Sequence, residues 1–217
     1  MCRLLYIQSP HSILPQQYLG ELSNIAQNSK KWQGDGWGVA YKGEKDWGFY
    51  RSLRPIWHDE QSFSDIPATT NLFVHARGAL LKGTISLEYV HPFSQGDWIF
   101  AFNGLLRGVR LHVPGGIGAI KVFNLLLQTI KEEDDIAKSI TMVSDRLVAE
   151  SRSYTAINFV LVNIKTSGVF VHSRYSEDPD YFAIRVTKAD DGTFLACSQE
   201  FGNYAWRRMK SGEVIRA

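Results

Sequence analysis

Cys2 combines a residue type and a position that suit nucleophilic chemistry. If Met1 is removed, Cys2 becomes the first residue and holds two useful groups. Its thiol, with a pKa of about 8.5 when free, is a strong nucleophile once ionised. Its α-amine, with a pKa of about 8, can act as a general base near neutral pH. A cysteine at position 2 is most often incidental, so the hypothesis needs support from other residues.

Two further segments carry groups that such a nucleophile would use. Residues 73–76 form a strand-like run that leads into Arg77, and an arginine fork matches a carboxylate bidentately. Taken alone, a surface or salt-bridging arginine is the commoner role. Residues 98–102 form a second run that leads into Asn103 and Gly104, whose amide N–H groups could stabilise a developing oxyanion. Asn-Gly between apolar runs is also the strongest short hairpin signal.

Other motifs predict no further chemistry. The glycine-rich residues 115–121 lack the Gly-Lys-Ser/Thr ending of a phosphate loop, so a glycine-rich helix entry is favoured. The six histidines form no H-E-x-x-H or i,i+4 ligand pair, so we expect neither a metal nor another cofactor. A net charge of +2 excludes a strongly basic nucleic-acid surface. A nucleic-acid partner is therefore not expected.

Composition sets the class of protein. The 217 residues are 44% hydrophobic and 21% charged, and we expect one globular domain over residues 1–217. No apolar run approaches the ~20 residues that span a bilayer, so no membrane partner is expected. Cys2 and Cys197 are too few for a disulfide framework, and the first residues do not resemble a secretory signal. These features predict a cytoplasmic protein.

Strand-like segments dominate the chain and must position these groups. Ten segments rich in aromatic and β-branched residues predict strands at residues 3–7, 36–41, 47–53, 71–77, 98–102, 158–164, 168–174, 181–187, 193–197 and 213–215. Apolar residues at helical spacing predict helices at residues 19–26, 117–130 and 136–147, the last one after the acidic residues 132–135. Strands, then helices, then strands predict an α+β protein built in layers.

Several motifs follow Cys2 in a specific order. They stand at residues 35–41 (DGWGVAY), 75–77 (HAR), 91–93 (HPF), 100–104 (FAFNG), 156–162, 196–200 and 212–215. This order resembles the class II glutamine amidotransferases, which are N-terminal nucleophile hydrolases. The chain looks most similar to small stand-alone members, which include the γ-glutamyl hydrolase of ergothioneine synthesis and glutathione-degrading amidotransferases. The resemblance covers nearly the whole chain and depends on the joint order of the motifs.

The resemblance implies a fold, a reaction and a set of site residues. The fold is a four-layer α/β/β/α sandwich of two antiparallel sheets between helices. The reaction cleaves glutamine or a γ-glutamyl amide through a thioester on the cysteine, whose own α-amine is the base. Asn103 and Gly104 would form the oxyanion hole, and Arg77 would bind the substrate α-carboxylate. The implied site residues are the catalytic Cys2, Asn103 and Gly104 and the substrate-binding Arg77, His75 and Gly78.

One departure from the family concerns the substrate ammonium. Family members usually carry an acidic residue at the start of the helix after Asn-Gly, but residues 117–121 contain no carboxylate and include Lys121. Three explanations stay open: the substrate lacks a free α-amine, another acid such as Glu88 or Asp97 substitutes, or glutamine is not the substrate. Alternatively, the chain is an inactive or altered family member that acts as a binding or regulatory protein.

The fate of the ammonia also stays open. Class II amidotransferases normally pass ammonia to a synthase domain, and we expect no room for one in 217 residues. Ammonia would then be released, passed to a separate synthase partner, or incidental to the cleavage of a γ-glutamyl bond.

Overall fold

The computed structural model describes residues 2–217, in which we number twelve strands and four helices. In chain order these elements are β1 (Arg3–Ile13), α1 (Pro15–Gln27), β2 (Trp37–Lys42), β3 (Trp47–Ser52), β4 (Thr69–Ala76), β5 (Phe93–Gln95), β6 (Trp98–Arg107), α2 (Gly118–Glu132), α3 (Ile136–Ala149), β7 (Ser153–Asn163), β8 (Val169–Ser173), α4 (Pro179–Phe182), β9 (Arg185–Lys188), β10 (Phe194–Cys197), β11 (Arg207–Arg208) and β12 (Glu213–Arg216). Short 3-10 segments lie at Ile56–His58, Glu60–Asp65, Lys82–Thr84 and Leu87–Tyr89.

The described residues divide into two compact units. The first comprises residues 2–92 and 184–208 and contains a seven-stranded antiparallel sheet in the order β11-β9-β10-β1-β4-β2-β3. Helix α1 begins with Pro15 in its first turn, where proline fits because that N–H has no partner within the helix. Its apolar side, including Leu19 and Leu22, is buried with Leu5 and Val74 of the sheet. This packing covers the two strands, β1 and β4, that carry the candidate site.

The second unit comprises residues 93–183 and 209–217 and contains a five-stranded antiparallel sheet in the order β12-β8-β7-β6-β5. Helices α2 and α3 pack on this sheet, and the ring of Phe123 stacks on Phe100 with centroids 4.8 Å apart. Helix α3 begins where the acidic run predicts, because the Asp135 side chain accepts hydrogen bonds from the amides of Ala137 and Lys138. The two antiparallel sheets and their helices confirm the predicted α+β class.

Two sequence predictions about local structure are wrong. Asn103 and Gly104 do not end a strand or form a hairpin, since β6 continues through them to Arg107 and pairs with β7 along its length. The predicted strand 181–187 begins with a helical turn instead. Asp178 caps this turn by accepting a hydrogen bond from the Tyr181 amide, and the next residue is proline.

Within residues 2–217, no helix is both long and apolar enough to cross a membrane. The prediction of one folding domain stays a prediction.

Candidate active site

The pairing of β1 with β4 places Cys2 beside a turn that follows β4. Arg3 lies opposite Ala76 in this antiparallel pair, so the residue before β1 lies next to the residues after β4. Cys2 is a partly buried cysteine outside any disulfide, and its thiol lies 3.9 Å from the carbonyl oxygen of Gly78. The structure therefore brings together Cys2, Gly78 and the end of β4.

The environment of the Cys2 thiol favours the thiolate. Burial by itself raises the pKa of this thiol. The positive charge of His75, its hydrogen bond to the sulfur and a backbone hydrogen bond from Gly78 act in the opposite direction, and the pKa falls to about 6. Because the thiolate is the reactive form, Cys2 is largely ionised and nucleophilic at neutral pH.

His75 lies on β4 between the nucleophile and a second histidine. It is fully buried, and its ring lies 4.2 Å from the ring of His91, measured between centroids. Burial lowers the pKa of His91 well below its ordinary value, and the charges of His75, Arg77 and Arg51 lower it further. His91 is therefore neutral near pH 7.

The position of His91 depends on a glycine of the DGWG motif. A Cβ atom added at Gly38 would lie 2.4 Å from the His91 carbonyl oxygen, so no other residue fits there without displacing that backbone. This close approach gives the DGWG segment a structural role in the candidate site.

Arg77 follows β4 directly and is 4% exposed. Its Nη2 atom donates to the Thr84 hydroxyl over 3.3 Å. Its Nη1 atom is buried and has no hydrogen-bond partner among residues 2–217. A buried donor without a partner is costly, whereas a substrate carboxylate would satisfy it with a charge-assisted bond. The geometry therefore suits the predicted binding of a carboxylate.

Asp35 forms two hydrogen bonds with the turn that contains Arg77, Gly78 and Ala79. The Asp35 amide donates to the Arg77 carbonyl over 2.9 Å, and one oxygen of its carboxylate accepts from the Ala79 amide over 2.7 Å. Asp35 belongs to the DGWG motif, which by itself indicates no individual role for this carboxylate. Its contact with Ala79 spans 44 positions of the chain, and no local pattern predicts such a contact.

Asn103 and Gly104 lie on β6 of the second unit. Asn103 is 1% exposed and lies opposite Asn158 on β7. A Cβ atom at Gly104 would lie 2.2 Å from the Ala156 carbonyl oxygen, so the strands approach here only because residue 104 is glycine. The first unit holds the other predicted site residues, so the oxyanion role of this pair stays a prediction.

An acidic partner for the substrate ammonium could lie in the first turn of α2, at Asp97 or at Glu88. Helix α2 has no acidic residue in its first turn, as the sequence indicates. Asp97 forms an ion pair with Lys165 over 2.8 Å, and Glu88 is exposed in a 3-10 segment. Among residues 2–217, no group of three or more His, Cys, Asp or Glu side chains is placed to hold a metal ion.

Cys197 differs chemically from Cys2 although neither cysteine forms a disulfide. Cys197 lies on β10, is 1% exposed, and its thiol donates to the Gln199 carbonyl over 2.8 Å. Burial raises the pKa of this thiol to about 12. Cys197 is therefore protonated and unreactive at neutral pH, and it provides an internal reference for the reactivity of Cys2.

The fold is that of class II glutamine amidotransferase domains. A glutamine aminotransferase class-II domain protein from Silicibacter pomeroyi aligns with a TM-score of 0.64 over 99% of this chain and 94% of its own, at 14% identity. The glutamine phosphoribosylpyrophosphate amidotransferase of B. subtilis aligns with a TM-score of 0.69 over 99% of this chain and 47% of its own, at 15% identity. At such identities the likeness establishes the fold.

Curated proteins with similar sequences carry one name, gamma-glutamyl-hercynylcysteine sulfoxide hydrolase. The protein of Mycobacterium tuberculosis is 31% identical over 90 residues, which are 41% of this chain and 38% of its own. That of Mycolicibacterium smegmatis is 31% identical over 109 residues, 48% of this chain and 46% of its own. The chain thus spans less than half the length of the curated relatives that it matches. No family model matches the chain. Together with the fold, these relatives confirm the resemblance to class II glutamine amidotransferases.

Proposed function

We propose that this chain is an amidohydrolase that cleaves the side-chain amide of glutamine or a γ-glutamyl amide through a thioester on Cys2, after removal of Met1. The observation that carries the proposal is the Cys2 thiol, whose pKa is about 6 beside His75. The hydrolase names of the curated relatives and the amidotransferase fold support it.

The first chemical step is an attack by the Cys2 thiolate on the carbonyl carbon of the amide. A C–S bond forms, and the carbonyl electrons move to oxygen to give a tetrahedral oxyanion. The α-amine of Cys2 holds the proton lost by the thiol, while His75 stabilises the thiolate. As the intermediate collapses, the C–N bond breaks and this proton passes to the leaving nitrogen, which departs as ammonia or an amine.

The second step regenerates the enzyme. The Cys2 α-amine removes a proton from water, and the resulting hydroxide attacks the thioester carbonyl. The C–S bond breaks, the sulfur leaves as the thiolate, and the new γ-carboxyl group loses its proton to solvent as the product is released, so no oxidant, reductant or cofactor is required. The resemblance assigns stabilisation of both oxyanions to Asn103 and Gly104.

Arg77 provides the binding group for the substrate carboxylate. Its buried Nη1 atom would gain a charge-assisted hydrogen bond on binding, which a neutral substrate analogue cannot supply. The substrate class is therefore a small molecule with a free carboxylate near the amide that is cleaved. Transfer of the ammonia to a separate synthase remains part of the proposal.

A second candidate function is a binding or regulatory protein on the same fold. The observation that favours it is the first turn of α2, which holds no acidic residue where the resemblance implies one. Such a protein would bind a γ-glutamyl compound through Arg77 without turning it over.

The test uses an electrophilic diazo-ketone analogue of glutamine and the protein lacking Met1. We expect stoichiometric labelling of Cys2, none in Cys2→Ala and unchanged labelling in Cys197→Ala. A panel of γ-glutamyl amides then measures turnover. Binding without labelling or turnover would support the second candidate, and a correctly processed protein that neither reacts nor binds would exclude both.

A further inference from the structure

The His75 side chain has an open neighbouring position on its face of the sheet. On β4, His75 lies in register with Leu4 of β1 on one side and with Gly38 of β2 on the other. Residues that pair across neighbouring strands present their side chains on the same face. Because Gly38 has no side chain, the space beside the His75 ring on this side is left for another segment of the chain.

The His91–Pro92 segment occupies this space. A Cβ atom added at Gly38 would lie 2.4 Å from the His91 carbonyl oxygen, so the backbone of His91 lies directly over the glycine. Arg51 of β3 is the partner of Gly38 on the far side from His75. Its Nη2 atom donates a hydrogen bond to the Pro92 carbonyl oxygen. The segment is therefore held from two sides, by the glycine beneath it and by the arginine beside it.

The two imidazole rings pack against each other in the interior. Their planes are inclined by 36° at a centroid distance of 4.2 Å. His75 is 0% exposed and His91 is 3% exposed, so both rings are surrounded by protein. Interiors are packed closely enough that a neighbouring ring leaves a side chain few orientations. The His91 ring therefore limits the directions in which the His75 ring can turn.

We propose that His91 is a positioning residue whose ring, held over Gly38, fixes the imidazole of His75 beside the Cys2 sulfur. The consequence for catalysis rests on the proposed function, whereas the effect on the thiol does not. The proposal gives two motifs a shared role, because HPF supplies the ring and DGWG supplies the glycine beneath its backbone.

The charges around His91 indicate that its ring acts by packing. Burial keeps its pKa well below the ordinary value, and the charges of His75, Arg77 and Arg51 lower this pKa further. The ring is therefore neutral near pH 7 and adds no net charge beside the thiolate. Burial raises the pKa of the Cys2 thiol, and the charge and hydrogen bond of His75 lower it. Removal of the His91 ring should therefore change this pKa through the position of His75.

Two substitutions of His91 separate packing from charge. His91→Ala removes the ring and should raise the midpoint of Cys2 alkylation by about one unit of pH, because the charge-assisted hydrogen bond of His75 is no longer held in place. His91→Phe keeps a flat ring without a titratable group, so the midpoint should stay at the wild-type value. If His91 acted through its charge, the midpoint would rise in both variants.

Phe63→Ala is the matched control for the loss of a buried ring. Phe63 is 6% exposed, and its ring contacts the Trp37 ring with centroids 5.5 Å apart. Trp37 precedes Gly38 on β2, so its side chain lies on the opposite face of the sheet from His75. Phe63→Ala should lower Tm by opening a cavity but should leave the Cys2 midpoint unchanged. A purely structural role of His91 would make the two alanine variants alike.

The experiment measures iodoacetamide alkylation of Cys2 between about pH 4 and 10 by peptide mass spectrometry, with Tm measured in parallel. A raised midpoint in His91→Ala, with wild-type midpoints in His91→Phe and Phe63→Ala, supports the proposal whether or not any substrate is turned over. An unchanged midpoint in His91→Ala, or a raised midpoint in either of the other variants, overturns it. If an alanine variant does not fold, His91→Leu and Phe63→Leu, which keep most of the buried volume without the flat ring, decide the question by the same outcomes.

Discussion

His75 should control the ionisation of Cys2, and its replacement by glutamine tests this directly. With His75 present, the pKa of the Cys2 thiol is about 6 against an ordinary value of 9.0. His75→Gln removes the charge and leaves the burial, which acts in the opposite direction. The midpoint of Cys2 alkylation should therefore rise to about 9 or above.

The expected change in rate is smaller than the change in ionisation. At pH 7 the thiolate fraction should fall from about nine-tenths to about one-hundredth. A thiolate of higher pKa is intrinsically more nucleophilic, by about twentyfold for a shift of three units. The net loss of alkylation rate at pH 7 is then only about four- to fivefold. The position of the pH profile is therefore the informative measurement.

The assay follows iodoacetamide labelling of both cysteines against pH. Cys197 serves as an internal reference, since burial raises the pKa of its thiol to about 12 and it should stay unlabelled near pH 7. His58→Gln, at an exposed histidine of the same unit, is the matched control and should leave the profile unchanged. A His75→Gln protein that folds and keeps a midpoint near 6 would refute the role of His75.

Three further predictions concern binding and stability. Arg77→Lys keeps the charge but loses the fork, and should lower kcat/KM on a γ-glutamyl substrate by about 10- to 100-fold; unchanged kinetics would exclude Arg77 from binding. Burial lowers the pKa of His172 from 6.5 to about 4, so the folded state should lose up to about 3 kcal/mol of stability as pH falls through this window. Urea unfolding against pH should show this loss, and His172→Gln should remove most of it; an identical pH dependence in both proteins would contradict it. Gly104→Ala should lower Tm because the new methyl group meets the Ala156 carbonyl, and an unchanged Tm would show that the strands separate freely.

Local patterns predict the elements around the nucleophile well. The aromatic and β-branched residues of 71–77 predict a strand close to the observed β4, and the acidic run before residue 136 predicts the start of α3, which Asp135 caps. These features depend on neighbouring residues, so a sequence shows them directly.

Local sequence patterns do not predict features that depend on residues far apart in the chain. Asn103-Gly104 has a strong hairpin signal, yet pairing with β7 keeps β6 extended through it. His75 meets Cys2 because β4 lies beside β1 in the sheet, and Asp35 meets Ala79 across 44 positions. Strand order and register decide both contacts. The resemblance therefore names Cys2, Arg77, His75 and Gly78, but it gives His75 and Gly78 a role in substrate binding and none in the ionisation of the thiol.

The most direct test of the central claim is intact mass spectrometry of the protein lacking Met1, quenched in acid during turnover of a γ-glutamyl amide. The proposed mechanism predicts a transient mass increase of one γ-glutamyl group on Cys2, which hydroxylamine removes and Cys2→Ala abolishes. Turnover that persists in Cys2→Ala would contradict this mechanism. So would product release without any detectable acyl-enzyme when conditions slow the hydrolysis of that intermediate.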